Sequence, residues 1–138
     1  MNEIVNELTR KLGAAIQQDE NYLEYIRAKE ANDKNEDLQQ KIQQLNLIRI
    51  QYNAELSKSG GEQDREKISR LSEEFNTVYN EIMSIEDMVR FNTAKAEVDA
   101  MMNRISGILS LCVNGEDPET CEPAAGCSSD CSSCAGCN

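Results

Sequence analysis

A chain of 138 residues is long enough for one domain with a modest core, and 25 acidic against 14 basic side chains leave it a net charge of −11. That sign argues against direct binding to nucleic-acid phosphates or anionic membranes, because clustered cations supply most of the affinity for either. Histidine is absent, which removes the commonest general base and the commonest metal ligand together and leaves the cysteines as donors for any soft metal.

The first residues, Met1 to Leu8, hold no basic run and no sustained apolar run, so no signal peptide is expected. The longest nearly apolar stretch, Gly107 to Val113, is too short to cross a bilayer. A cytoplasmic location follows. In that reducing compartment the six cysteines point to metal or redox chemistry ahead of structural disulfides.

Helical periodicity runs from the start to about residue 111, and strand periodicity is absent. Ile4, Leu8, Leu12 and Ile16 recur every four residues, with Val5 and Ala15 widening the stripe. Asp19 is placed to cap a second, shorter helix carrying Tyr22, Leu23 and Ile26. Asp33 or Asn35 opens a third, with Leu38, Ile42, Leu45, Ile48, Tyr52 and Leu56 facing inward, and Ser59-Gly60-Gly61 should end it. Ile68, Leu71, Phe75, Val78 and Ile82 alternate spacings of three and four, as in a coiled-coil seam. A second seam follows through Phe91, Ala94, Val98, Met101, Ile105, Ile108 and Cys112, out of phase with the first. A break near Ser84, with Ser84 as cap and Asp87 three residues on, reconciles the two. The expected fold is all-α: about five long antiparallel helices in a hairpin bundle, whose narrow stripes are completed by another chain.

Composition changes after Leu111. No Lys or Arg lies beyond Arg104, and both prolines, Pro118 and Pro123, fall in this last part. Two domains are therefore expected, a helical one over residues 1–111 and a cysteine-rich tail over 112–138. Cysteines stand at 112, 121, 127, 131, 134 and 137. The short gaps Cys127-x3-Cys131-x2-Cys134-x2-Cys137, filled with Ser, Ala, Gly and Asp, let neighbouring thiolates reach one metal centre. Cys121 is a further candidate ligand. Cys112 continues the preceding seam and reads as a buried core thiol. A catalytic cysteine is disfavoured, since five carboxylates and no base share the tail. No phosphate-binding loop, nucleophile elbow or apolar carboxylate pair occurs, so no catalytic residue is assigned. Zinc or copper(I) carriage on a helical oligomerisation domain, and a thiol redox sensor, are the competing readings.

The Asn21-Tyr22-Leu23-Glu24-Tyr25-Ile26-Arg27-Ala28-Lys29 stretch, the long third helix and the Gly60-Gly61 turn resemble those of the YlbF/YmcA family of small bacterial helical proteins. So does Asp87-Met88-Val89-Arg90-Phe91-Asn92-Thr93-Ala94-Lys95-Ala96-Glu97-Val98, leading to a last helix that ends near Ile108-Leu109. The resemblance covers residues 1–111, and the cysteine-rich ending is nearest the YlbF branch. It implies a non-enzymatic regulator that forms homo- or hetero-oligomers with paralogous members and adjusts RNase Y-dependent mRNA processing, with effects on competence, sporulation and biofilm formation. It also implies an iron–sulfur cluster, for which a [4Fe–4S] type is expected here; zinc is the alternative that the thiol spacing leaves open. The cluster ligands would fall on the cysteine tail.

Overall fold

The computed structural model describes residues 1–124. It contains five helices, α1 (Glu3–Ile16), α2 (Glu20–Lys34), α3 (Glu36–Leu56), α4 (Arg65–Ser84) and α5 (Glu86–Val113), and no strand among the described residues. Two compact units emerge, Met1–Ala94 and the segment from Lys95 onward.

Short polar side chains start the helices of the first unit. Asn2 accepts from the Ile4 N–H at 3.0 Å and Asp19 from the Asn21 N–H at 2.9 Å, each satisfying an amide that has no partner within its helix. Asn35 alone separates α2 from α3. Its side-chain oxygen caps α3 at Leu38 N–H, 3.0 Å away, while its amide nitrogen donates to Asp87 at 2.9 Å. Asp64 caps α4 through the Lys67 N–H at 3.0 Å. α2 is not the shorter helix expected, at 15 residues against 14 in α1.

The core lies between α3 and α4, which run antiparallel: Lys41 pairs with Glu81 at one end, and Glu55 meets Asp64 at the other. Leu38, Ile48, Leu71, Val78 and Ile82 are buried there, and Ile42, Leu45, Tyr52, Phe75, Ile85 and Met88 pack around them. Each fully buried aliphatic side chain contributes about 1.5–3 kcal/mol relative to exposure. Across the same unit α2 meets the start of α5. Arg90 grips Glu24 at 2.6 and 3.1 Å, and the Tyr25 and Phe91 rings lie 5.6 Å apart. The Arg90 guanidinium holds the Glu24 carboxyl below its ordinary range.

Two helix ends differ from expectation. Leu56 is exposed, and the inward place at the end of α3 belongs to Glu55, 1% exposed. The helix stops at Ser57, whose backbone stays right-handed, and Gln63 Nε2 caps the free carbonyls of Leu56 and Lys58 at 2.9 Å each. Gly60 and Gly61 follow in the turn without a positive φ. At the break between α4 and α5, Ser84 does not cap α5. Its hydroxyl donates back to the Glu81 carbonyl at 2.7 Å, and Ile85 supplies the extended residue.

Glu55 closes the hairpin. One carboxylate oxygen accepts from the Asp64 N–H at 2.9 Å, and the other meets Lys58 at 2.9 Å and Lys67 at 3.0 Å. The Asp64 amide, then the two ammonium groups, lower its pKa from 4.5 to about 2. A depressed folded pKa contributes stability that is complete above 4.5 and disappears as pH falls from there toward about 2. Glu55→Gln is therefore expected to lower the melting temperature at neutral pH and to flatten its acid dependence between those values, measured by circular dichroism against pH. In the core, Leu38→Ala should cost about 2–5 kcal/mol in denaturant unfolding, because Leu38 is fully enclosed.

Candidate functional site

The second unit places two of the six cysteines. α5 ends in a left-handed glycine, Gly115 at φ +94°. The Gly115 N–H bonds the Cys112 carbonyl at 3.0 Å, and the Glu116 N–H bonds the Leu111 carbonyl at 3.1 Å. This paired cap turns the chain sharply off the helix, and only glycine takes that φ without strain. Asp117 makes the next turn. Its side chain accepts from the Glu119 N–H at 3.0 Å, and its carbonyl accepts from the Cys121 N–H at 2.9 Å. The chain thereby folds back along α5. Pro123 lies against Gly107, where an added Cβ would stand 2.6 Å from the proline Cβ, and Glu122 pairs with Arg104 at 2.8 Å.

The result is a sulfur pair, with Cys112 Sγ and Cys121 Sγ 4.0 Å apart and both residues half-buried. Burial, and then the hydrogen bond with Cys112, push the Cys121 thiol above its ordinary range. Cys112 is thus not the enclosed core thiol that its place in the seam suggested. It faces the returning chain. The two residues stand nine apart in sequence, and the clue to their meeting lay between them: a glycine after the last helical turn, then Asp-Pro.

Of the candidate metal ligands only Cys121 falls within the described residues, and Cys127, Cys131, Cys134 and Cys137 lie outside them. Among the described residues no group of three or more Cys, Asp or Glu side chains is gathered to hold a metal ion. Closely spaced thiols in a chain without histidine are a donor set that would fit a soft metal or a cluster.

The first unit offers a different kind of surface. α1 buries none of its residues, and its stripe stands open, with Ile4 65% and Leu8 58% exposed. On α3, Leu47 and Ile50 are also exposed, opposite the face that packs on α4. Between residues 42 and 54 the only charged side chain is Arg49. A recess of about 350 Å³ beside α3 and α4 is lined by Arg49, Tyr52, Asn53, Ser72 and Phe75. Ser72 has no base in that lining to activate it. No helix among the described residues is long and apolar enough to cross a membrane.

Together these features define a small, acidic, all-helical protein with open amphipathic faces on one unit and paired thiols on the other. A family model described as "Control of competence regulator ComK, YlbF/YmcA" matches residues 5–114, and the chain belongs to this family. The match ends at the cap of α5, so Cys112 lies inside it and the remaining cysteines beyond it. Neither a curated protein nor a solved structure matches the chain.

Gly115→Ala would force a Cβ into the left-handed region, at a cost of about 1–2 kcal/mol. The expected outcome is a frayed end of α5 and faster alkylation of Cys121 by a maleimide, followed by mass spectrometry.

Proposed function

We propose that this protein is a non-enzymatic adaptor that assembles with itself or with paralogous family members and thereby adjusts RNase Y-dependent mRNA processing, with effects on competence, sporulation and biofilm formation. The observation that carries the reading is the family match over residues 5–114, whose description names control of a competence regulator. The open stripe of α1 supports assembly. A 14-residue helix is marginal alone in water, so Ile4, Val5, Leu8 and Leu12 call for a covering surface. The net charge of −11 supports an indirect route to RNA, through a protein partner.

The tail is proposed to hold an iron–sulfur cluster on Cys127, Cys131, Cys134 and Cys137, with Cys121 as a further candidate ligand. Four thiolates are the number a [4Fe–4S] cluster takes, and the sulfur-only donor set suits it. A cluster there would supply sensitivity to oxygen and redox state. The chain's own contribution is to present the thiols on a short segment with no lysine or arginine after Arg104.

Leu8→Asp tests the assembly. Since Leu8 is 58% exposed, an aspartate there should leave helicity and melting nearly unchanged while self-association or capture of a family paralogue falls at least tenfold. Unchanged association by analytical ultracentrifugation and co-purification would remove α1 from the interface. Loss of the gene should in turn shift the steady-state levels of RNase Y-dependent transcripts, and unchanged transcripts would refute the adaptor role.

The cluster is tested by anaerobic purification with iron and sulfide analysis. Cys134→Ser, which removes the ligand shared by both two-residue gaps, should abolish bound iron. Stoichiometric zinc without sulfide, or iron retained in Cys134→Ser, would overturn the assignment.

A further inference from the structure

The Cys112–Cys121 pair has a use that the proposed cluster does not require. We propose that it is an oxidative modification site, a dithiol that closes to an intramolecular disulfide with a small-molecule disulfide as oxidant and so latches the returning chain to the end of α5.

The geometry is prepared on both sides. The sulfurs are 4.0 Å apart, and a bond of about 2.05 Å requires a shift that side-chain rotation and a small backbone adjustment supply. The entropy of closing the loop over residues 113–120 is already lost in the native state. The Gly115 cap and the Asp117 turn fold that loop, and Gly107–Pro123 and Arg104–Glu122 hold its far end against the helix. Both residues are half-buried, so a small oxidant reaches them. With no third donor gathered among the described residues, the pair suits a covalent bond between its own two sulfurs better than a metal.

The reaction balances as two exchanges. One thiolate attacks the small disulfide, forming a mixed disulfide and releasing one thiolate of the oxidant. The second cysteine thiolate then displaces the other half, forming the Cys112–Cys121 bond. The two protein protons end on the two released thiols, the protein loses two electrons and the small disulfide gains them.

The test uses the full-length chain with Cys127, Cys131, Cys134 and Cys137 replaced by Ser, so that its result does not depend on whether a cluster exists. The variant is incubated with glutathione disulfide, alkylated and digested with a glutamate-specific protease. Trypsin is uninformative, because no Lys or Arg follows Arg104, whereas cleavage after Glu116 and Glu119 separates the two cysteines. The expected product is a monomer about 2 Da lighter, yielding one disulfide-linked peptide pair. Adding Gly107→Ala, which displaces Pro123, should slow closure roughly tenfold and let the glutathione adduct accumulate. Two separate glutathione adducts, a disulfide between chains, or closure unaffected by Gly107→Ala would each overturn the proposal.

Discussion

The antiparallel packing of α3 on α4 is the interaction on which the first unit depends. It gathers the buried Leu38, Ile48, Leu71, Val78 and Ile82, while α1 buries nothing of its own. A seam this narrow leaves the outer faces of both helices open, and side chains at its ends fix how the strip is aligned. Lys41 with Glu81 marks one end and Glu55 with the Asp64 amide the other. A slip of one residue along the seam would pull the Glu55 carboxylate away from the two donors on the α4 side, the Asp64 amide and the Lys67 ammonium. The carboxylate thus contributes alignment as well as attraction, since a buried charge without its partners is far worse than an apolar side chain in the same place.

Much of this was legible in the sequence because it is local. Asp19 and Asn35 cap their helices as a short polar side chain before an apolar period should, and Leu71, Phe75, Val78 and Ile82 of the expected alternation lie on the packed face of α4. The failures fall where a distant group decides the outcome. Leu56 had the better hydrophobicity and Glu55 the better neighbours: Lys58, Lys67 and an amide supplied by the following helix cap. No count of apolar spacing sees those donors. Ser84 looked like an N-cap, but its hydroxyl was already within reach of a carbonyl one turn back, the competing local bond open to any serine near a helix end. At Cys112 the period was read correctly and its partner was not, because the surface that meets it is a returning loop instead of a helix.

The reading of the four closely spaced cysteines rests on the sequence alone, since they lie outside the described residues. The short gaps among Cys127, Cys131, Cys134 and Cys137 keep the loop-closure cost of a common centre low, and the absence of histidine makes sulfur the donor expected for any such centre. The family match, ending at residue 114, says nothing of those four. Their assignment therefore rests on donor chemistry and the implied cluster, while the helical body rests on the match itself.

Cys112 is where these two parts of the molecule meet in sequence. It is held by the last turn of a helix inside the family region, and it faces the first cysteine of the tail. Any change in the chemistry of Cys121, whether oxidation or capture by a metal, acts on a segment anchored by Pro123 at Gly107 and by Glu122 at Arg104. Among the described residues the anchors beyond Cys121 include a ring against a glycine and an exposed ion pair of the kind worth less than about 1 kcal/mol. With the Gly115 cap and the Asp117 turn, these ties set the returning chain against α5 in the reduced state, and the proposed disulfide would add a covalent tie to them.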